Sequence, residues 1–121
     1  MSLTIFENVL TDRGSKYAVA GAPVRSKDDA LAVVKELKRN KKFAKATHNT
    51  WALLLPGEPI KNDDGESGAG MVILRMLERE ALHRHIVVVT RWYGGKHLGG
   101  DRFRHVQDAV RIYLDDLRAG G

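Results

Sequence analysis

Cysteine is absent from this chain of 121 residues, which excludes disulfides, zinc–thiolate sites and thiol nucleophiles. Proline is scarce, with 3 residues, and no apolar run approaches the roughly 20 residues of a membrane-spanning helix. Signal-peptide patterning, internal repeats, low-complexity tracts and linkers are missing as well. These absences predict one domain over residues 1–121 with a cytoplasmic location and no membrane partner. What is present suits a globular core, with 43% hydrophobic and 29% charged residues.

Periodicity then divides the chain. Ile5, Phe6, Val9 and Leu10, a turn at Asp12-Arg13-Gly14-Ser15, and Lys16 to Gly21 predict two opening strands. Ser26 suits an N-cap, and Ala30, Val33, Val34 and Leu37 follow at helical spacing. Thr47 to Leu55 reads as a strand stopped by Pro56-Gly57, and Lys61 to Gly70 as a polar loop. A second helix is predicted from Met71 to Leu82, a strand from His85 to Tyr93 and a final helix from Asp101 to Arg118. The unbroken Ile86-Val87-Val88-Val89 run places that strand inside the sheet. The expected architecture is α+β, a sheet of about four strands with helices on one face.

The net charge of +5 gathers in two places. Lys35, Lys38, Arg39, Lys41, Lys42 and Lys45 form one group, for which a solvated helix end is explanation enough. Arg91, Lys96, Arg102 and Arg104 form the other, around a glycine loop, and such patches attract phosphate backbones or acidic surfaces. That loop, Gly94-Gly95-Lys96-His97-Leu98-Gly99-Gly100, lies between a strand and a helix start, where backbone amides face a partner. It lacks the Lys-Ser/Thr of a P-loop, and Asp101 reads equally as a plain N-cap. Trp92 and Tyr93 beside Arg91 suit stacking or an interface anchor, although strand alternation should turn one ring inward.

Asp63, Asp64 and Glu66 around Gly65 resemble a cation loop only loosely, since an EF-hand's alternating ligands are missing. Acids near a helix N-terminus account for them equally well. His48 lies near this loop in the pattern, but no zincin spacing or nucleophile elbow accompanies it. No metal, cofactor or catalytic residue is expected. A hydrolase built on His48, Asp63, Asp64 and Glu66 is the weakest of the readings.

Val87-Val88-Val89-Thr90-Arg91-Trp92-Tyr93-Gly94-Gly95, with Leu98-Gly99 and Asp101-Arg102-Phe103, closely resembles the signature of the IMPACT family, related to the bacterial YigZ proteins. Ala46-Thr47-His48-Asn49 with Trp51-Ala52, Asp63-Asp64-Gly65-Glu66 with Ala69-Gly70, and Thr11-Asp12-Arg13 with Ser15 match in order. The Arg-Trp-Tyr form is similar to the eukaryotic branch, although Gly100 stands where eukaryotic relatives usually show proline. This resemblance implies a two-layer α/β sandwich like domain 2 of ribosomal protein S5. It implies a single IMPACT-type domain, with neither the RWD domain of eukaryotic members nor the C-terminal domain of bacterial ones. It also implies a non-catalytic module in translational control and the stress response. Such a module binds the ribosome-associated activator of the starvation-responsive initiation-factor kinase and restrains that kinase. Direct RNA or ribosome binding is the alternative, and actin is a further candidate partner. The candidate partner surface comprises Arg91, Trp92, Tyr93, Gly94, Gly95, Lys96, Leu98, Gly99, Arg102 and Arg104, with His48, Asp63, Asp64, Gly65 and Glu66 as a motif loop.

Overall fold

The computed structural model describes residues 3–120. Strands β1 (Thr4–Asp12) and β2 (Ser15–Pro23) form the predicted hairpin, whose turn residues Arg13 and Gly14 both take positive φ (46° and 82°). Helix α1 (Lys27–Lys38) starts at the predicted cap, where Ser26 Oγ accepts the Asp29 amide at 3.1 Å. A short α2 (Lys41–Ala44) then leads into β3 (His48–Leu55), β4 (Glu58–Asn62), α3 (Ala69–Arg79), β5 (His85–Trp92) and α4 (Asp101–Arg118). Every strand pairing is antiparallel, in the order β1-β2-β5-β3-β4. The apolar run of β5 therefore holds the centre, as expected.

The α+β class stands, with two particulars corrected. Five strands form the sheet rather than about four, because Glu58–Asn62 returns along β3 after Pro56-Gly57. Pro59 and the charges Glu58 and Lys61 hide this strand in the sequence, yet an edge tolerates both. Helices also cover both faces, not one. Tyr17, Val19, Val87 and Val89 point to α3 and α4, while Ala18, Ala20, Ala22, Ile86 and Val88 point to α1 and Phe43 of α2. Strands β2 and β5 are apolar at consecutive positions, so each face needs its own cover to keep water out.

On the α4 face the fit is tight. A Cβ at Gly21 would lie 2.4 Å from the Tyr113 ring and 2.7 Å from the Ile86 carbonyl oxygen. The Tyr113 hydroxyl meets His85 Nε2 at 2.6 Å, and burial holds the His85 pKa below its ordinary 6.5.

Two outcomes follow. Gly21→Ala should destabilise the domain by about 2 kcal/mol in urea unfolding, since the strand backbone cannot retreat; an unchanged midpoint would mean that Tyr113 moves freely. Because the folded state resists protonating His85 while the unfolded chain accepts a proton near 6.5, stability should be full above that pH and decline below it. Urea midpoints at about pH 7.5 and about pH 5 should differ in that direction, and less so in His85→Gln.

Candidate functional site at the end of the central strand

At its C-terminal end β5 turns polar, and Arg91 is drawn inside. Its register neighbours are Tyr17 on β2 and His48 on β3, so both flanking strands contribute side chains. Arg91 is only 5% exposed, and its Nη1 donates to both carboxylate oxygens of Glu66, at 3.0 and 2.9 Å. Glu66 is equally buried, which makes the pair a structural element and not a surface charge. Arg91 Nη2 lies 3.4 Å from Ser15 Oγ, and its guanidinium sits 5.9 Å from the Tyr17 ring and 5.8 Å from the Tyr93 ring. Burial pushes the Tyr17 hydroxyl up to about 12, so it stays protonated.

The acidic loop delivers Glu66 to that position. Asp63 carries the turn, its carboxylate accepting the amides of Gly68 (3.0 Å) and Gly70 (2.8 Å) at the start of α3. Burial alone would raise the Asp63 pKa, but these two amides, helped by Lys61, outweigh it and hold the carboxyl below its usual value. Asp64 accepts the Asn49 amide at 2.6 Å, and Thr50 Oγ1 donates to the Asp63 carbonyl at 2.8 Å, tying the loop to β3. His48 Nδ1 lies 2.8 Å from the Asp64 carbonyl; a carbonyl only accepts, so the Nδ1 carries the proton. His48 Nε2 then faces Glu66 at 3.8 Å. With Asp63 and Asp64 spent on backbone amides, no group of three or more metal-type ligands exists among the described residues.

The glycine loop closes the other wall. Gly94 packs backbone to backbone against the β1–β2 turn, where a Cβ would come within 2.0 Å of the Gly14 carbonyl carbon, and its amide donates to Ser15 Oγ at 3.2 Å. Leu98 is buried in the α3/α4 core and pins the loop. Asp101 is the first residue of α4, not its cap; Gly100 holds the cap position without a side-chain bond, and the Asp101 carboxylate pairs with Arg13. His105 Nε2 meets Asp12 Oδ2 at 2.7 Å, so α4 is clamped to the hairpin twice. Between these walls lies an open cleft of about 540 Å³, lined by His48, Glu66, Arg91, Tyr93, His97 and Arg102 among others.

Against this geometry the chain was compared with known proteins. Residues 13–114 match the model of the Impact N-terminal domain. The chain belongs to that family. The IMPACT homologue of Caenorhabditis elegans is 44% identical over 120 residues, covering 93% of this chain and 47% of that protein. Human IMPACT is 39% identical over 111 residues, covering 87% of this chain and 35% of that protein. This Impact-type chain thus spans less than half the length of these relatives. Among solved structures, a hypothetical protein superposes with a TM-score of 0.77 at 21% identity, over 95% of this chain and 61% of the other, which speaks for the fold alone. The two-domain translational regulator Yih1 matches with a TM-score of 0.54 at 36% identity, over 85% of this chain and 42% of Yih1.

The Impact motif segments, far apart in sequence, thus meet at one cleft. Tyr93, Gly99 and Arg102 of the candidate surface line it, together with His48, Gly65 and Glu66. Gly94, Gly95, Lys96 and Arg104 are exposed but do not line it. Arg91 and Leu98 line it too, but as buried groups, so neither is the exposed contact that the basic pattern suggested. Trp92 turns to the opposite face, edge-on to Phe43 at 5.2 Å, with its indole N–H donating to the Lys42 carbonyl at 3.0 Å; Tyr93 stays exposed. One ring is half-buried and one is out, as alternation required. Ser15 and Thr47 stand in the motif segments and His97 in the glycine loop, but none belongs to the candidate surface; Ser15 and Thr47 bond the Gly94 and Tyr93 amides, and Thr47 and His97 line the cleft.

Glu66→Ala should cost about 3 kcal/mol in urea unfolding, because it strands a buried guanidinium. The double variant Glu66→Leu/Arg91→Met should recover most of that loss. Equal loss in both would show that shape, not charge pairing, is what the site requires.

Proposed function

We propose that this domain is a non-catalytic binding module in translational control, acting through the rim of the Arg91–Arg102 cleft. The observation that carries the reading is the convergence of the Impact motif segments on one open face in a chain 36% identical to a translational regulator. On this reading the partner is the ribosome-associated activator of the starvation-responsive initiation-factor kinase, and occupancy of the activator restrains that kinase. Exposed Lys96 and Tyr93 and half-buried Arg102 would supply the contacts, with Arg91 as the floor that holds the rim in shape. A non-catalytic role agrees with the way the acids are used: Asp63 and Asp64 brace the backbone, and Glu66 is neutralised by Arg91.

A second reading, direct binding to RNA or the ribosome, draws on the lysine-rich group at the end of α1 and in α2, on the face of β5 opposite the cleft. Lys42 Nζ sits 5.4 Å from the Trp92 ring centroid, so the lysine-rich end of α1 and α2 adjoins the strand that leads to the cleft.

Charge reversal at Lys96 and Arg102 tests the first reading better than at Arg91, whose loss would damage the fold. Pull-down of the purified activator should fall about tenfold or more in Lys96→Glu/Arg102→Glu. Equal capture by wild type and variant would remove the cleft rim from the interface. Co-sedimentation with ribosomes or RNA without the activator, weakening steeply with salt, would favour the second reading.

A further inference from the structure

The cleft holds more basic groups than its one carboxylate answers. Glu66 is engaged by Arg91 at 2.9 Å, while Arg102 Nε and His48 Nε2 stand off at 3.8 Å each, beyond hydrogen-bond length. The Arg102 guanidinium has one further bond, from Nη1 to the Gly99 carbonyl at 3.2 Å. Arg91 Nε is buried and has no partner among the described residues, although the side chain lines the cleft. The guanidinium keeps its full positive charge at the floor of the cleft while only Glu66 answers it, so the field above the floor favours an oxyanion. Of the nearby acids, Asp63 and Asp64 direct their carboxylates at backbone amides of the loop, Asp101 pairs with Arg13, and none of the three lines the cleft.

One wall of the cleft is aromatic. Tyr93 is 45% exposed, and its ring lies 5.9 Å from that of His97 with the two planes tilted by 47°. At about 540 Å³ the space falls within the roughly 300–1,000 Å³ usual for small-ligand sites. We propose that the cleft binds a nucleoside monophosphate unit. The phosphate lies against Arg102 and His48, above the buried Arg91–Glu66 pair, and the base stacks on the exposed Tyr93 ring with His97 at its edge. Such a unit comes either from a free nucleotide or from the 5′-phosphorylated end of an RNA strand. The inference goes beyond the translational reading and stands whether or not a protein covers the same rim.

The test is an amide-resolved NMR titration of the chain with inorganic phosphate, adenosine, adenosine monophosphate and trinucleotide RNA carrying a 5′-phosphate or 5′-hydroxyl. Adenosine monophosphate should give saturable shifts at the cleft residues and bind about tenfold or more tighter than phosphate or adenosine alone. Arg102→Gln should weaken it about tenfold, Tyr93→Ala should weaken it while leaving phosphate unchanged, and Lys38→Gln on the distant patch should do neither. If Arg102→Gln loses the dispersed spectrum of a folded chain, His48→Gln takes its place in the comparison. Tighter binding of the 5′-phosphorylated trinucleotide than of the mononucleotide identifies an RNA end as the source; weaker or equal binding identifies a free nucleotide. No preference for the monophosphate over phosphate, shifts away from the cleft, or indifference to both Arg102→Gln and His48→Gln would overturn the proposal.

Discussion

The pairing of Arg91 Nη1 with both carboxylate oxygens of Glu66 is the interaction around which this end of the molecule is arranged. A guanidinium that is 5% exposed requires a carboxylate, and supplying one dictates the path of the β4–α3 loop. That loop must curl back over the sheet end, so Asp63 caps α3, Asp64 holds the start of β3 and Gly65 passes close to the His48 ring. Ser15 completes the arrangement by meeting both Arg91 and the Gly94 amide. The cleft is thus a consequence of burying one charge at the edge of an apolar core.

Position in the sheet explains why the charge is there at all. Strand β5 is central, and its first five residues are buried between two layers of helices. Where the helices stop covering the sheet, the strand still has neighbours on both sides, so side chains leaving it are enclosed laterally but open at the end. This produces a half-enclosed pocket floor with polar groups held by backbone register. Such rigidity suits recognition, because little side-chain entropy remains to be lost when something binds.

The loop of residues 94–100 is held more firmly than its glycine content suggests. Leu98 enters the core, Gly94 touches the hairpin backbone, and α4 is tied to the hairpin through Arg13–Asp101 and Asp12–His105. The His105 hydrogen bond is the main reason that the Asp12 carboxyl sits below its ordinary value. Glycine here serves close approach of two backbones as well as turning, a distinction that composition does not reveal.

Much was legible from local pattern. The apolar periodicity of α1, α3 and α4, the Ser26 cap and the interior character of β5 arise from interactions within a few residues, so the sequence by itself determined them. Family membership was legible for the same reason, carried by contiguous motifs such as Arg91-Trp92-Tyr93-Gly94-Gly95. Tertiary structure alone decided the rest. Edge strand β4 forms because β3 offers it unpaired backbone groups, despite Pro59 and two charges. The second helical layer exists because both faces of β2 and β5 are apolar. Arg91 reads as one more surface cation in the sequence, and only the registers Tyr17↔Arg91 and His48↔Arg91, with Glu66 brought from 25 residues away, turn it into a buried partner. Burial and pairing are properties of distance in space, which strand register sets and spacing along the chain does not.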